Sequence, residues 1–191
     1  DGVLEATAER FAALYSELTL IEKLVWNLQD LSRFESPEMK ISPADVNAWK
    51  FADDVSSRFV LLAEKKNIKF SVQKNCAEDF DFTADPLLLM RCVSNLLQNA
   101  FQYTAEGGEV TLEIEEQAEK RAKISVLNTG AISEEDIPHV FDRLYRGDRS
   151  RSSAGSGLGL SIAQAIANLH SGKIEVQNAT NEGGGMRACA L

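Results

Sequence analysis

Apolar side chains return every seven residues from Leu4 to Leu31, and every second residue in short runs from Ile68 onward. This change of period sets the outline. One long helix comes first, followed by a region in which strands and helices intermix. Leu4, Phe11, Leu18 and Val25 form one line along the first segment. Thr7, Leu14, Ile21 and Leu28 form a second, and Leu24 and Leu31 widen the stripe. Such a stripe packs against helices, either its own domain core or the other arm of a hairpin in a dimeric four-helix bundle. Ser36-Pro37 ends this helix, because the residue before proline avoids helical geometry.

Residues 36–42 read as a linker with a possible short strand. Ser42-Pro43-Ala44-Asp45 has the form of a capping box with proline at the first helical position, so a helix is expected from about residue 44 to residue 66. Ile68, Phe70 and Val72 alternate and predict a strand, with a further short strand over 79–83. Asp85-Pro86 opens a helix that runs to about Tyr103, and Gly107-Gly108 makes a turn. Val110, Leu112 and Ile114 alternate, as do Ile124 and Val126, giving two strands around a loop near 117–121.

Ser133 to Asp136 caps a short helix before Phe141. Residues 142–157 are rich in Arg, Ser and Gly and have no period; so long a loop in a compact domain is usually functional or disordered. Leu158 to His170 is a helix closed by Ser171-Gly172. Ile174 and Val176 begin a strand, Asn181 to Gly185 is a turn, and a last strand ends the sequence. Without strict strand–helix–strand alternation, the fold expected is α+β. It is a two-layer sandwich, a mixed sheet covered by helices on one face and preceded by the long amphipathic helix.

Charge and cysteines narrow the function classes. A net charge of −9 argues against a general nucleic-acid surface. Cys76, Cys92 and Cys189 are odd in number and scattered, the pattern of reduced thiols in a cytosolic setting. No apolar run approaches the ~18 residues of a membrane span, so no direct membrane contact is expected. The sequence opens inside an amphipathic pattern, which suggests a piece of something longer.

The residues with chemical promise fall into four short segments. Asn95 and Asn99 stand four apart on one helix face among apolar neighbours, which suggests a polar pocket beside a core. Asn128-Thr129-Gly130 follows a strand and is, taken alone, an ordinary turn. Phe141 to Arg146 leads into the polar loop, where arginines 143, 146, 149 and 151 outnumber aspartates 142 and 148. Guanidinium forks suit phosphate oxygens, although a solvated loop explains the same charges. Gly155-Ser-Gly157-Leu158-Gly159 sits between that loop and an apolar helix. There free amides and the positive dipole end favour an anion.

The ordered set of these four segments resembles the nucleotide-binding half of bacterial sensor histidine kinases. These belong to the superfamily that includes gyrase-type, Hsp90-type and MutL-type ATPases. The run Leu31 to Glu35 likewise resembles the end of the second helix of a histidine-kinase dimerisation hairpin. The resemblance implies two domains. Residues 1–36 are the partial hairpin and residues 37–191 the ATP-binding catalytic domain, of the Bergerat type.

It further implies that ATP and Mg2+ bind between the helical layer and a mobile lid. Asn99 takes the metal from a pocket shared with Asn95, and Tyr103 packs near the base or ribose. Asn128, Gly130 and Ile132 sit at the adenine, Phe141 anchors the lid, and Arg146 reaches the β- or γ-phosphate. Gly155, Gly157, Leu158 and Gly159 hold the triphosphate. Three departures stand out. Gln102 replaces a lysine that reaches the phosphates, Asn128 replaces an aspartate, and Ile132 stands where a second glycine is usual. Gly183 to Gly185 resemble the last glycine box, with Met186 in place of its threonine.

Neither His139 nor His170 is followed by the Glu/Asp-x-x-Arg-x-Pro pattern of a phosphoacceptor. His139 reads as a surface residue, and His170 as a helix-end residue favourable to the dipole. The function implied is transfer of the γ-phosphate of ATP to a histidine on a helix outside this sequence. The implied partners are that helix, a response-regulator receiver domain and a second copy of the full-length protein. The implied location is the cytosolic part of a membrane-anchored sensor. Two other readings fit the same residues. One is a superfamily ATPase or serine kinase without a histidine hairpin, and the other is a degenerate nucleotide-binding scaffold.

Overall fold

The computed structural model describes residues 7–146 and 156–178, and the backbone of 185–190. Leu4, Gly155, Gly183, Gly184 and the arginines at 149 and 151 lie outside the described residues.

The long helix α1 spans Ala8–Phe34 and ends ahead of Ser36-Pro37, as expected. Thr7 is its N-cap, its side chain accepting the Arg10 N–H, so it closes the helix end and does not join the stripe. The last turn enters the core: Leu31 is 1% exposed and Phe34 5%. Phe11, Leu14, Leu18, Ile21, Val25 and Leu28 remain exposed along the earlier turns.

The expected helix from residue 44 begins later. Ala44–Asn47 is a strand, β1, paired antiparallel with β3 (Asp81–Ala84), with Val46 opposite Phe82. Val46 and Phe82 are both buried, and this pairing outweighs the Ser-Pro-x-Asp signal. The true cap is Asn47, whose Oδ1 accepts the Lys50 N–H at 3.0 Å. Helix α2 then runs Ala48–Ser57, and α3 runs Val60–Lys65 after a break at Arg58 and Phe59.

The main sheet has the order β2-β4-β5-β7-β6. These strands are β2 (Lys69–Asn75), β4 (Glu109–Gln117), β5 (Arg121–Thr129), β6 (Ile174–Asn178) and β7 (Gly185–Ala190). β2 and β4 are parallel and the other pairs antiparallel, so the sheet is mixed. Alternation decides its faces. Val110, Leu112, Ile114, Ala122, Ile124 and Val126 are buried under the helices, while Glu109, Glu113, Arg121 and Lys123 lie on the open face. The layer above contains α2, α4 (Pro86–Tyr103) and α5 (Gly159–Leu169). The expected two-layer α+β sandwich is the fold observed.

Asp85 ties the helical layer together. Its Oδ1 accepts the Leu87 and Leu88 amides at the start of α4, and its Oδ2 accepts the Ser42 amide at 2.9 Å. Its own N–H donates to His170 Nε2 at 2.9 Å. His170 therefore does not act as a cationic dipole partner. With Nε2 occupied as an acceptor, its Nδ1–H donates to the Ile166 carbonyl.

Candidate functional site

Three elements converge at one end of the sandwich: the last turns of α4, the end of β5 and the start of α5. Asn95 and Asn99 sit one turn apart on α4, both half-buried. Asn95 Nδ2 is enclosed and has no hydrogen-bond partner among the described residues. Gln102 is half-buried in the last turn and Tyr103 is 46% exposed. Thr104 stops the helix, its N–H and hydroxyl both donating to the Ala100 carbonyl.

At the end of β5, Asn128 faces the helical layer and is 5% exposed. Its Nδ2 donates to the Thr129 carbonyl at 3.2 Å, which leaves Oδ1 enclosed with no partner among the described residues. A buried acceptor without a donor is costly, about 1–3 kcal/mol. Gly130 follows with φ +133°, where a side chain is strained. A Cβ there would lie 3.5 Å from the Tyr103 carbonyl, so this turn abuts the end of α4. Ile132 is held at both backbone polar atoms by Asn178 of β6.

The polar loop starts from a built base. The short helix expected before Phe141 is a single 3-10 turn, Ile137–His139, reached through Ser133, whose Oγ accepts the Asp136 N–H. Tyr145 Oη donates to Asp136 Oδ1 at 2.5 Å. That bond, followed by the Ser133 contact, holds the Asp136 carboxyl below its ordinary value. His139 is exposed and pairs through Nδ1 with Asp142 at 2.8 Å. Arg146 is half-buried at the loop entrance.

Gly157 brings the far end of the loop back. It has φ +66°, and a Cβ there would meet the Leu144 carbonyl carbon at 2.7 Å. The Leu144 N–H donates to the Gly157 carbonyl at 3.0 Å, closing the two ends together. Leu158 is fully buried, so only its backbone is available to a ligand. The N-terminus of α5 carries no side-chain cap, and a Cβ added at Gly159 would meet nothing within 4 Å. Open amides at a helix start are suited to phosphate.

Phe141 lies apart from this cluster. With Glu35, Arg143, Ser161 and Gln164 it lines a cavity of about 420 Å3 between the end of α1 and α5. Arg143 donates to Glu35 there at 2.6 Å, joining the loop base to α1. Asn178 is the site residue that the sequence pattern misses. Its signal is a polar residue on the apolar side of an edge strand, in step with Ile174 and Val176.

Comparison with known proteins bears on this geometry. Residues 84–190 match the family model described as histidine kinase-, DNA gyrase B-, and HSP90-like ATPase. The chain is 38% identical over 172 residues to the sensor histidine kinase RppB of Synechocystis, covering 85% of this chain and 36% of that protein. The catalytic domain of histidine kinase ThkA superposes with a TM-score of 0.69 at 28% identity, covering 79% of this chain and 95% of that one. ThkA solved in complex with the response regulator TrrA superposes at 0.76 with 25% identity, covering 100% of this chain and 52% of that one. The chain spans less than half the length of the curated relatives it matches, for example 46% of the adaptive-response sensory kinase SasA of Crocosphaera subtropica. The matching family model, the sensor histidine kinase relative and the superposed catalytic domain assign the chain to the histidine kinase-, DNA gyrase B- and HSP90-like ATPase family, as the ATP-binding catalytic part of a sensor histidine kinase.

Proposed function

We propose that residues 37–191 bind Mg·ATP and donate its γ-phosphate to a histidine on a helix outside this chain. In this reading residues 1–36 belong to the second helix of a dimerisation hairpin. The observation that carries the nucleotide site is the pair of enclosed amide atoms, Asn128 Oδ1 and Asn95 Nδ2. Each is a polar atom that a nucleotide satisfies. Asn128 Oδ1 accepts from the adenine amino group, with Gly130 and Ile132 shaping the base side. Asn95 Nδ2 donates toward the phosphate side, and Tyr103 flanks the base or ribose.

The triphosphate then runs between Gln102, Arg146 and the amides at Gly157 to Gly159, with Gly155 as a further contact. Phe141 supports the lid from the α1 side. Asn99 offers an amide oxygen, which suits Mg2+, an ion that takes one or two protein ligands and the rest from phosphates and water. The ion supplies charge neutralisation at the phosphates. The protein's own contribution is positioning and donor placement, the larger part of phosphoryl-transfer catalysis. A histidine nitrogen attacks the γ-phosphorus, and the bond to the β–γ bridging oxygen breaks, leaving its electron pair on ADP.

The exposed stripe of α1 supports a homodimeric hairpin in the full-length protein. The solved complex of the relative ThkA with TrrA supports a response-regulator receiver domain as the next phosphate acceptor. No helix among the described residues is long and apolar enough to cross a membrane, which fits the cytosolic part of a membrane-anchored sensor.

The test uses the chain with γ-labelled ATP, Mg2+ and a separate helical hairpin carrying an acceptor histidine. Acid-labile label on the hairpin supports the proposal. Release of free phosphate without labelled hairpin points instead to an ATPase. No measurable Mg·ATP affinity by calorimetry points to a scaffold.

A further inference from the structure

We propose that Asn178 is a positioning residue for adenine, acting through Ile132. The inference rests on the nucleotide reading above and extends it to a strand on the far side of the sheet. Asn128 pairs with Met186 across β5 and β7, and Met186 pairs with Asn178 across β7 and β6. The two asparagines therefore lie in one row of the sheet, two strands or about 10 Å apart. Both are on the face that the helices cover, in step with Val126 and with Val176. Asn128 offers the acceptor to the base. Asn178 grips the loop that leaves it.

The grip is two-pointed. Asn178 Oδ1 accepts the Ile132 N–H at 2.9 Å, and Asn178 Nδ2 donates to the Ile132 carbonyl at 2.8 Å. One rigid amide that engages both polar atoms of a residue fixes its position and its rotation together. Ile132 is where the family pattern has a second glycine, so the loop cannot use that glycine's conformational freedom to find its shape. The side-chain clamp supplies the shape instead. It sits between the Gly130 turn and the Ser133–Asp136 cap that leads to Tyr145. The phosphate side, by contrast, is built on α4 and the start of α5, whereas the hydrogen bonds of the Asn178 side chain among the described residues go to Ile132. Loss of the clamp should therefore weaken recognition of the base and spare recognition of the phosphates.

The experiment measures affinity of the chain for Mg·ATP and for inorganic tripolyphosphate with Mg2+. It compares wild type, Asn178→Ala and Asn178→Ser, with Gln177→Ala as a control on the open face of the same strand. We expect N178A to lose at least about tenfold in ATP affinity, about 1.4 kcal/mol. Tripolyphosphate affinity should hold, N178S should show a smaller loss with the same ligand selectivity, and Q177A should match wild type. Should alanine unfold the chain, seen as a lost thermal transition, N178S alone makes the comparison. Equal loss of both ligands means a general structural role and overturns the assignment, as does unchanged ATP affinity. A wild-type chain without ATP affinity overturns the nucleotide reading, and this inference with it.

Discussion

Asn128 uses its two amide atoms differently. Nδ2 is held by the Thr129 carbonyl, and Oδ1 is enclosed with no partner among the described residues. Asn128→Asp removes the donor and sets a carboxylate oxygen against that carbonyl, so the ligand-free protein should lose about 1–3 kcal/mol of stability. With ATP bound the same change should tighten binding, because a charged acceptor makes a hydrogen bond about twice as strong. Thermal unfolding and calorimetry on one sample check both halves, and an unchanged or weaker ATP affinity would place the adenine contact elsewhere. Asp85 carries a pH dependence. Burial pushes its carboxyl up, but the amides of Ser42, Leu88 and Leu87 outweigh burial and hold it below the ordinary 3.8. His170 faces it with an accepting nitrogen, so the amide donors carry this effect. A carboxyl lowered by folding stabilises above its unfolded value and stops doing so as pH falls through its folded value. Wild type should thus exceed Asp85→Asn in stability at about pH 7, and the gap should close toward about pH 3. Urea unfolding across that range checks it, and a gap independent of pH would contradict it.

At the scale of elements, the sequence pattern was most readable where a cap and a period agree. Asp85-Pro86 opens α4 as expected, with the Asp85 carboxylate on the first free amides. The alternations of β4 and β5 fall on the observed strands because each buries one face, and that of β2 falls on its strand with Phe70 and Val72 half-buried against the core. The start of α2 was misread because Ser42-Pro43 imitates a cap, whereas the register Val46–Phe82 is a contact 36 residues away in sequence that no local window contains. The proposed site shows the same division. Asn95, Asn99 and Asn128 are legible because each stands out in its own element. Asn178 is not, because its importance comes from Ile132, which the chain reaches 46 residues earlier. A cap argument separates the two candidate helix starts. Asn47 accepts the Lys50 amide and donates to the Glu78 carbonyl and Asp81 Oδ1. Ser42 contributes its backbone N–H to Asp85, which alanine keeps. Asn47→Ala should cost about 1–2 kcal/mol, and Ser42→Ala less than about 0.5 kcal/mol. Urea melts of the pair decide it; equal effects would mean that the Ser42 side chain does cap something.

Across the whole molecule, α1 divides into two parts with different physics. Its last turn is part of the catalytic layer. Leu31 and Phe34 are buried, Asp30 pairs with Arg91 of α4 at 2.5 Å, and Arg91 lies over the Phe34 ring. Glu35 continues the contact to Arg143 at the base of the polar loop. The preceding turns carry six stripe residues between 45% and 64% exposed, an apolar surface that calls for another helix. The helix thus runs without interruption from an exposed apolar stripe into buried contacts with the layer that holds α4 and the base of the polar loop. The two parts should respond oppositely to the same kind of truncation. Leu31→Ala empties a core position, and should cost about 2–5 kcal/mol at any protein concentration. Leu18→Ala removes an exposed side chain, so at concentrations where the chain is monomeric its unfolding should stay within about 0.5 kcal/mol of wild type. Its effect should instead appear in sedimentation, as weaker self-association or weaker capture of an added partner hairpin. Equal destabilisation of the monomer by both substitutions would mean that the early turns of α1 fold against this chain's own domain, and the dimer-hairpin reading of the stripe would fall.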